Sequence, residues 1–357
     1  MKRWFCWLLT ALCVVSLAAV SVRAEDSNEP ASATETTVHT IVLLGDSISA
    51  GFGMPGFESN DPSKAQGSFS NLLAEHYRLT YGQGMFNYAH TGLTSSEILT
   101  SLRHTDTDVL KQADMIVLSA GSNDILNILG ESVYRSYQES ADELRQQGIL
   151  IDFSDLRGIE QTILTVLTDP SKKEVVDRFL QLCTNQQVQT RCQDAVLQCE
   201  SNTKEMISYL REIGSQAEIF LITPYNPTTA VIQNRLSDLL QNTMDDLRKR
   251  LLSLSESAEY GYAVSVVDLL TDFEGKYLEM TNITSGDIHP SAAGHRWIAD
   301  TIIRRMKLLS EQRTAQQQAI RHRTAPVADS WVYLLFSVAA LCVIGILFYV
   351  VILHRKK

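Results

Sequence analysis

Cysteine is too sparse in the central part of the chain to staple a fold. Six are present, but Cys6 and Cys13 fall in an N-terminal leader and Cys342 in an apolar C-terminal run. That leaves Cys183, Cys192 and Cys199, an odd number. If Cys192 and Cys199 share a helix, they stand about 10 Å apart along its axis, too far for a disulfide. The expectation is a bridge from Cys183 to one of them. With no histidine nearby, the three do not make a zinc site. Positive charge is also in deficit, the formal net charge being −10. No basic stripe is interleaved with aromatics, which argues against nucleic acid as a partner. There is no internal repeat, which argues against solenoids and propellers. No sortase-type sorting signal is visible, and no protein partner is predicted.

The two ends of the chain read as an address and an anchor. Residues 1–24 resemble a secretory signal: Lys2 and Arg3, an apolar run from Leu8 to Val20, and Val22-Arg23-Ala24 before a mature start at Glu25. An uncleaved anchor is the other reading, but the run is shorter than the ~20 residues a span needs. Trp331 to Leu353 is uncharged and long enough to cross a bilayer, with Trp331, Tyr333 and Tyr349 near its edges. His354-Arg355-Lys356-Lys357 then reads as a cytoplasmic tail. Arg313, Arg321 and Arg323 blur that charge asymmetry, and near anionic headgroups they could draw the protein to a surface. The expected order is a signal (1–24), a linker (25–38), one globular domain (39–310), a polar stalk (311–330), a transmembrane helix (331–353) and a tail (354–357). The expected location is a cell membrane, single-pass, with the domain on the extracellular side.

Five apolar runs rich in β-formers read as strands: 39–44, 84–89, 114–120, 218–223 and 262–269. Helical spacing falls between and after them, over 68–79, 94–102, 192–213, 232–254 and 291–308. Strands alternating with helices predict an α/β domain built on a five-stranded parallel sheet. Ligands in such folds bind at the carboxyl ends of strands. The stretch 130–191 exceeds a simple crossover. It reads either as extra helices packed on one side or as a cap over the site. The loop 52–67 should also border the site.

Four short blocks fall at strand ends. Ser47, in Gly45-Asp46-Ser47, follows the first strand where a helix begins; it is either a nucleophile whose N–H faces an oxyanion or a plain N-cap serine. A serine hydroxyl needs a base. His289 fits, with Asp287 before it and Pro290 stiffening the loop, whereas His295 reads as part of the last helix. Gly92 is either an oxyanion donor or an ordinary strand-to-helix turn. Asn123, in Gly121-Ser122-Asn123-Asp124, is either an amide donor to the same oxyanion or a helix cap, a part Ser122 or Asp124 could also fill.

Taken in order, Ser47, Gly92, Asn123 and His289 resemble the four signature residues of the SGNH hydrolases, also called GDSL lipases and esterases. The likeness runs from about His39 to Met306, apart from 130–191, and extends to Ala217–Pro227 and Asp287–Ala299. The resemblance implies a three-layer α/β/α flavodoxin-like fold. It also implies ester hydrolysis through an acyl-enzyme, with no metal or organic cofactor. Two positions depart from the pattern. Ile48 stands where leucine is usual. The usual acid position, three before the histidine, is Gly286, so either Asp287 orients His289 or a backbone carbonyl does. The expected substrate is a lipid or other acyl ester. The alternatives are removal of acetyl groups from surface carbohydrate, or a binding module with a relict site. Asn282-Ile283-Thr284 is also a glycosylation sequon.

Overall fold

The computed structural model describes residues 38–146, 148, 173–231, 233–257, 260 and 263–324. The expected signal, nearly all of the linker, the expected transmembrane helix 331–353 and the tail 354–357 lie outside them. Among the described residues, no helix is long and apolar enough to cross a membrane.

Five parallel strands form one sheet: β1 (Ile41–Gly45), β2 (Met85–Asn87), β3 (Met115–Ser119), β4 (Glu218–Ile222) and β5 (Val264–Val267), in the order β2-β1-β3-β4-β5. Every residue of β1, β3 and β4 is buried, as continuous apolar runs require when both faces of a sheet are covered. The register aligns Gly45 with Ser119 and Ser119 with Ile222, so the strands end level. The order in which strands are added reverses between β1 and β3, β2 lying on one side of β1 and β3 on the other. That reversal opens a crevice at their carboxyl ends, the usual ligand position in doubly wound sheets.

The described α-helices are α1 (Ser47–Ala50), α2 (Phe69–Tyr77), α3 (Ser95–His104), α4 (Thr107–Gln112), α5 (Ser122–Glu139), α6 (Ala141–Gln146), α7 (Lys173–Cys183), α8 (Gln186–Glu212), α9 (Arg235–Glu256), α10 (Leu269–Asp272), α11 (Tyr277–Met280) and α12 (Ala292–Thr324). α8 packs on α3, α5 and α9. α2 meets the start of α12, where Phe69 N–H donates to His295 Nδ1 at 3.2 Å. Right-handed crossovers put these two groups on opposite faces of the sheet.

The last helix continues well past residue 308, through part of the predicted stalk. Its sequence from Glu311 to Thr324 contains no glycine or proline, and the first proline is Pro326; glutamine, alanine and arginine there favour helix.

The predicted disulfide does not form. Cys183, Cys192 and Cys199 are free and buried. Cys183 ends α7 and packs with Val133, Leu144 and Phe179, while Cys192 and Cys199 lie on the buried side of α8. Each fills apolar packing as a small hydrophobe. Burial pushes the Cys183 and Cys192 thiols up to about 11 and raises Cys199 as well.

The Cys183 cluster also takes in Tyr137 and Leu236. The described part of the 130–191 stretch therefore packs on the C-terminal half of α5 and the start of α9. Val133 is about 15 Å along the helix from Asn123. Most of the remainder, 149–172, lies outside the described residues.

Candidate active site

The site begins where β1 ends. Asp46 caps α1, its Oδ1 accepting from Ile48 N–H at 3.1 Å. This turn puts Ser47 at the first helical position, where a backbone N–H has no intrahelical acceptor. Ser47 Oγ lies 2.9 Å from His289 Nε2, across 242 residues of chain. On the other side of the ring, His289 Nδ1 lies 2.6 Å from Asp287 Oδ1. The same oxygen accepts from the His289 backbone N–H at 2.9 Å. Asp287 and His289 are both buried. The structure thus brings Ser47, His289 and Asp287 into one hydrogen-bonded line. The carboxylate in that line comes from Asp287, while Gly286 closes the 3-10 turn Ile283–Ser285.

Asn282, Tyr225 and Phe52, none of them in the four blocks, support the loop that carries His289. Asn282 N–H donates to the His289 carbonyl at 2.9 Å, and its Nδ2 donates to the Pro290 carbonyl at 3.3 Å. The Asn282 carbonyl in turn accepts from Ser285 and Asp287. The asparagine of the sequon therefore serves this loop. Tyr225, after β4, donates its hydroxyl to the Ile288 carbonyl at 2.8 Å. Phe52 lays its ring against the imidazole, with centroids 4.4 Å apart. His295 lies apart from this line. It is fully buried in α12, and burial lowers its ring to about 3, which keeps it neutral.

Asn123 sits in the first turn of α5, but Gly121 holds the N-cap position there. The Gly121 φ of 104° suits glycine, and a Cβ there would stand 2.3 Å from Leu247 Cδ2 and 3.1 Å from Cys199 Sγ, so that the Leu247 side chain would have to shift. Asn123 Nδ2 donates to the Leu93 carbonyl at 3.0 Å. An amide has two N–H groups, and one bond to Leu93 leaves the second for a ligand. The same bond ties Asn123 to the turn carrying Gly92, whose φ of 84° suits glycine. Asp124 reaches to the start of α3, where it accepts from Ser95 N–H at 2.8 Å and Ser95 Oγ at 2.5 Å.

Asp46 is the electrostatic oddity. It is buried directly beside Ser47. Its Oδ1 accepts from Ser119 Oγ at 2.9 Å, while its N–H donates back to the same hydroxyl at 3.2 Å. Ser49 Oγ lies 2.8 Å from Ser119 Oγ. Asp46 Oδ2 meets no donor among the described residues. Desolvation, the largest cause, pushes the carboxyl up from 3.8 to about 6, against the pull of Ser119 and Ile48. Between those two pH values the folded protein holds more protons than the unfolded chain. Stability therefore falls as pH rises through that window. Asp46→Asn, which keeps an accepting oxygen, should remove this penalty. Chemical denaturation should find the variant more stable by roughly 1–3 kcal/mol at pH 8 and level with the wild type below pH 4.

The GDSL-like Lipase/Acylhydrolase family model matches residues 43–297, from β1 into α12, and the match contains all four blocks. The chain is 21% identical over 305 residues to the uncharacterized protein YpmR of Bacillus subtilis (strain 168), covering 84% of this chain and 94% of that one. Solved structures similar to it include the lipase Lip_vut3 from a goat rumen metagenome, at 20% identity and a TM-score of 0.45 over 74% of this chain and 95% of that one. Phospholipase A1 from Streptomyces albidoflavus NA297 is similar at 15% identity and a TM-score of 0.47, over 76% and 99% of the two chains.

Proposed function

The chain belongs to the GDSL-like Lipase/Acylhydrolase family and is an ester hydrolase, and on that premise we propose that Ser47 is its nucleophile, His289 its general base and acid, and Asp287 the carboxylate that orients the base. The observation that carries this reading is the line from Ser47 Oγ to His289 Nε2 at 2.9 Å and from His289 Nδ1 to Asp287 at 2.6 Å.

In the first half-reaction Ser47 Oγ attacks the ester carbonyl as its proton passes to His289 Nε2. The carbonyl π pair moves onto oxygen. That oxyanion is met by the N–H groups of Ser47 and Gly92 and by the second Nδ2–H of Asn123. Collapse re-forms the carbonyl, breaks the bond to the alcohol oxygen and hands it the His289 proton. Water then attacks the acyl carbon as its proton passes to His289, and collapse breaks the bond to Ser47 Oγ, which takes that proton back from His289 as the acid leaves. Asp287 keeps the Nδ1 proton in place and stabilises the imidazolium that forms in each half.

The substrate in this proposal is a lipid or other acyl ester. The domain is held outside a membrane by the apolar run 331–353 and its basic tail, with 1–24 as the export signal.

The test is hydrolysis of p-nitrophenyl butyrate by the purified full chain. The wild type should turn over, and Asn123→Ala should lose about a hundred- to a thousandfold in kcat with KM little changed, as loss of an oxyanion donor does. A wild type without esterase activity, or an Asn123→Ala variant at full rate, would contradict the assignment.

A further inference from the structure

Phe52 contacts both Ser47 and His289. Its backbone N–H donates to the Ser47 carbonyl at 3.0 Å. Its ring centroid lies 4.4 Å from that of His289, the planes inclined at 46°. Phe57 backs it edge-on at 5.3 Å and 64°. Both rings are only partly buried, so the pair presents aromatic surface beside the base. The charges of the same loop stand at its exposed edge and pair with one another: Lys64 Nζ lies 2.6 Å from Glu58 and 3.8 Å from Asp61.

Chemistry fixes what lies on that side. His289 must deliver its Nε2 proton to the departing alcohol oxygen, which therefore comes within ~3 Å of Nε2. The Phe52 ring is the aromatic surface that the described residues set against the base, and the first carbons bonded to that oxygen would pass close to the same imidazole. The acyl chain extends from the carbonyl carbon, which is held between Ser47 and the oxyanion donors.

Resting on the catalytic reading above, we propose that Phe52, backed by Phe57, is the wall of the leaving-alcohol subsite and selects esters of apolar alcohols over esters of polyols. An apolar alcohol buries surface against the ring, whereas a polyol must give up hydrogen bonds to water with no partner on this wall.

The experiment holds the acyl group constant and varies the alcohol. Benzyl butyrate and glyceryl monobutyrate are compared on wild type, Phe52→Ala and Phe52→Leu. The wild type should favour the benzyl ester in kcat/KM. Phe52→Ala should shrink that preference by about tenfold, the scale on which apolar contacts discriminate. The acyl-length profile on p-nitrophenyl esters should keep its shape in both variants. An equal loss on both butyrates would mean that Phe52 only steadies His289, and would overturn the proposal.

Should the alanine variant fail to fold, the leucine variant and a wild-type assay still decide. With a butyryl enzyme formed on Ser47, an added alcohol attacks the acyl carbon in place of water. Its proton goes to His289 and on to Ser47 Oγ, which leaves. Benzyl alcohol should capture more acyl group than glycerol at equal concentration; equal or reversed capture overturns the proposal. Ser47→Ala is run alongside. If it still hydrolyses, the catalytic reading has failed; if it is dead and the preference is absent, only the Phe52 assignment has.

Discussion

Ser47→Ala should lower turnover of p-nitrophenyl butyrate by at least about ten-thousandfold, with KM nearly unchanged. The reason is geometric. Ser47 Oγ is the group 2.9 Å from His289 Nε2, and alanine leaves no atom to form the acyl bond. His289→Ala should cost a similar amount, because an unassisted hydroxyl is a poor nucleophile. The double variant should be scarcely slower than either single one. Residues that act as one unit are not additive, and whatever rate survives comes from the oxyanion donors and from binding. If the double variant instead multiplied the two single losses, Ser47 and His289 would be acting independently, against the shared proton. Steady-state rates on the three proteins settle the point.

Asp287→Asn is the second large effect, expected at about 10³–10⁴ in kcat. The carboxylate accepts from both the backbone N–H and the Nδ1 of His289. Asparagine can keep the backbone bond, so the loop should hold its shape and the melting temperature should change little. At Nδ1, however, it offers no charge to stabilise imidazolium, and its amide favours the wrong tautomer. A backbone carbonyl serving in place of the acid would make this variant nearly silent. The two cases therefore differ by orders of magnitude in kcat at a nearly constant melting temperature.

The strands and the order of the blocks were legible because they are local patterns. An apolar run such as Ile41–Leu44 needs both faces covered, and Asp287 stands two residues from His289. What the sequence hid were contacts between distant residues. Asp46 and Ser119 exchange hydrogen bonds across 73 residues; each looks ordinary alone, and only the level strand ends join them. Asp124 has the look of a cap for its own helix, yet its carboxylate accepts from Ser95 in the first turn of α3, 29 residues away. Phe52 reads as a loop aromatic until the fold lays it on His289. The cysteines misled because the spacing of Cys192 and Cys199 says whether they can meet each other but nothing about what apolar packing encloses Cys183. The last helix extends past residue 308 because polar composition like that of 311–324 also suits an exposed helix.

The most direct test of the central claim is labelling of the folded full-length protein with a fluorophosphonate, followed by peptide mass spectrometry. The predicted result is a single phosphonyl adduct on Ser47, absent from Ser47→Ala and formed far more slowly in His289→Ala. An active, folded wild type that carries no adduct, or carries it on another serine, would contradict the account.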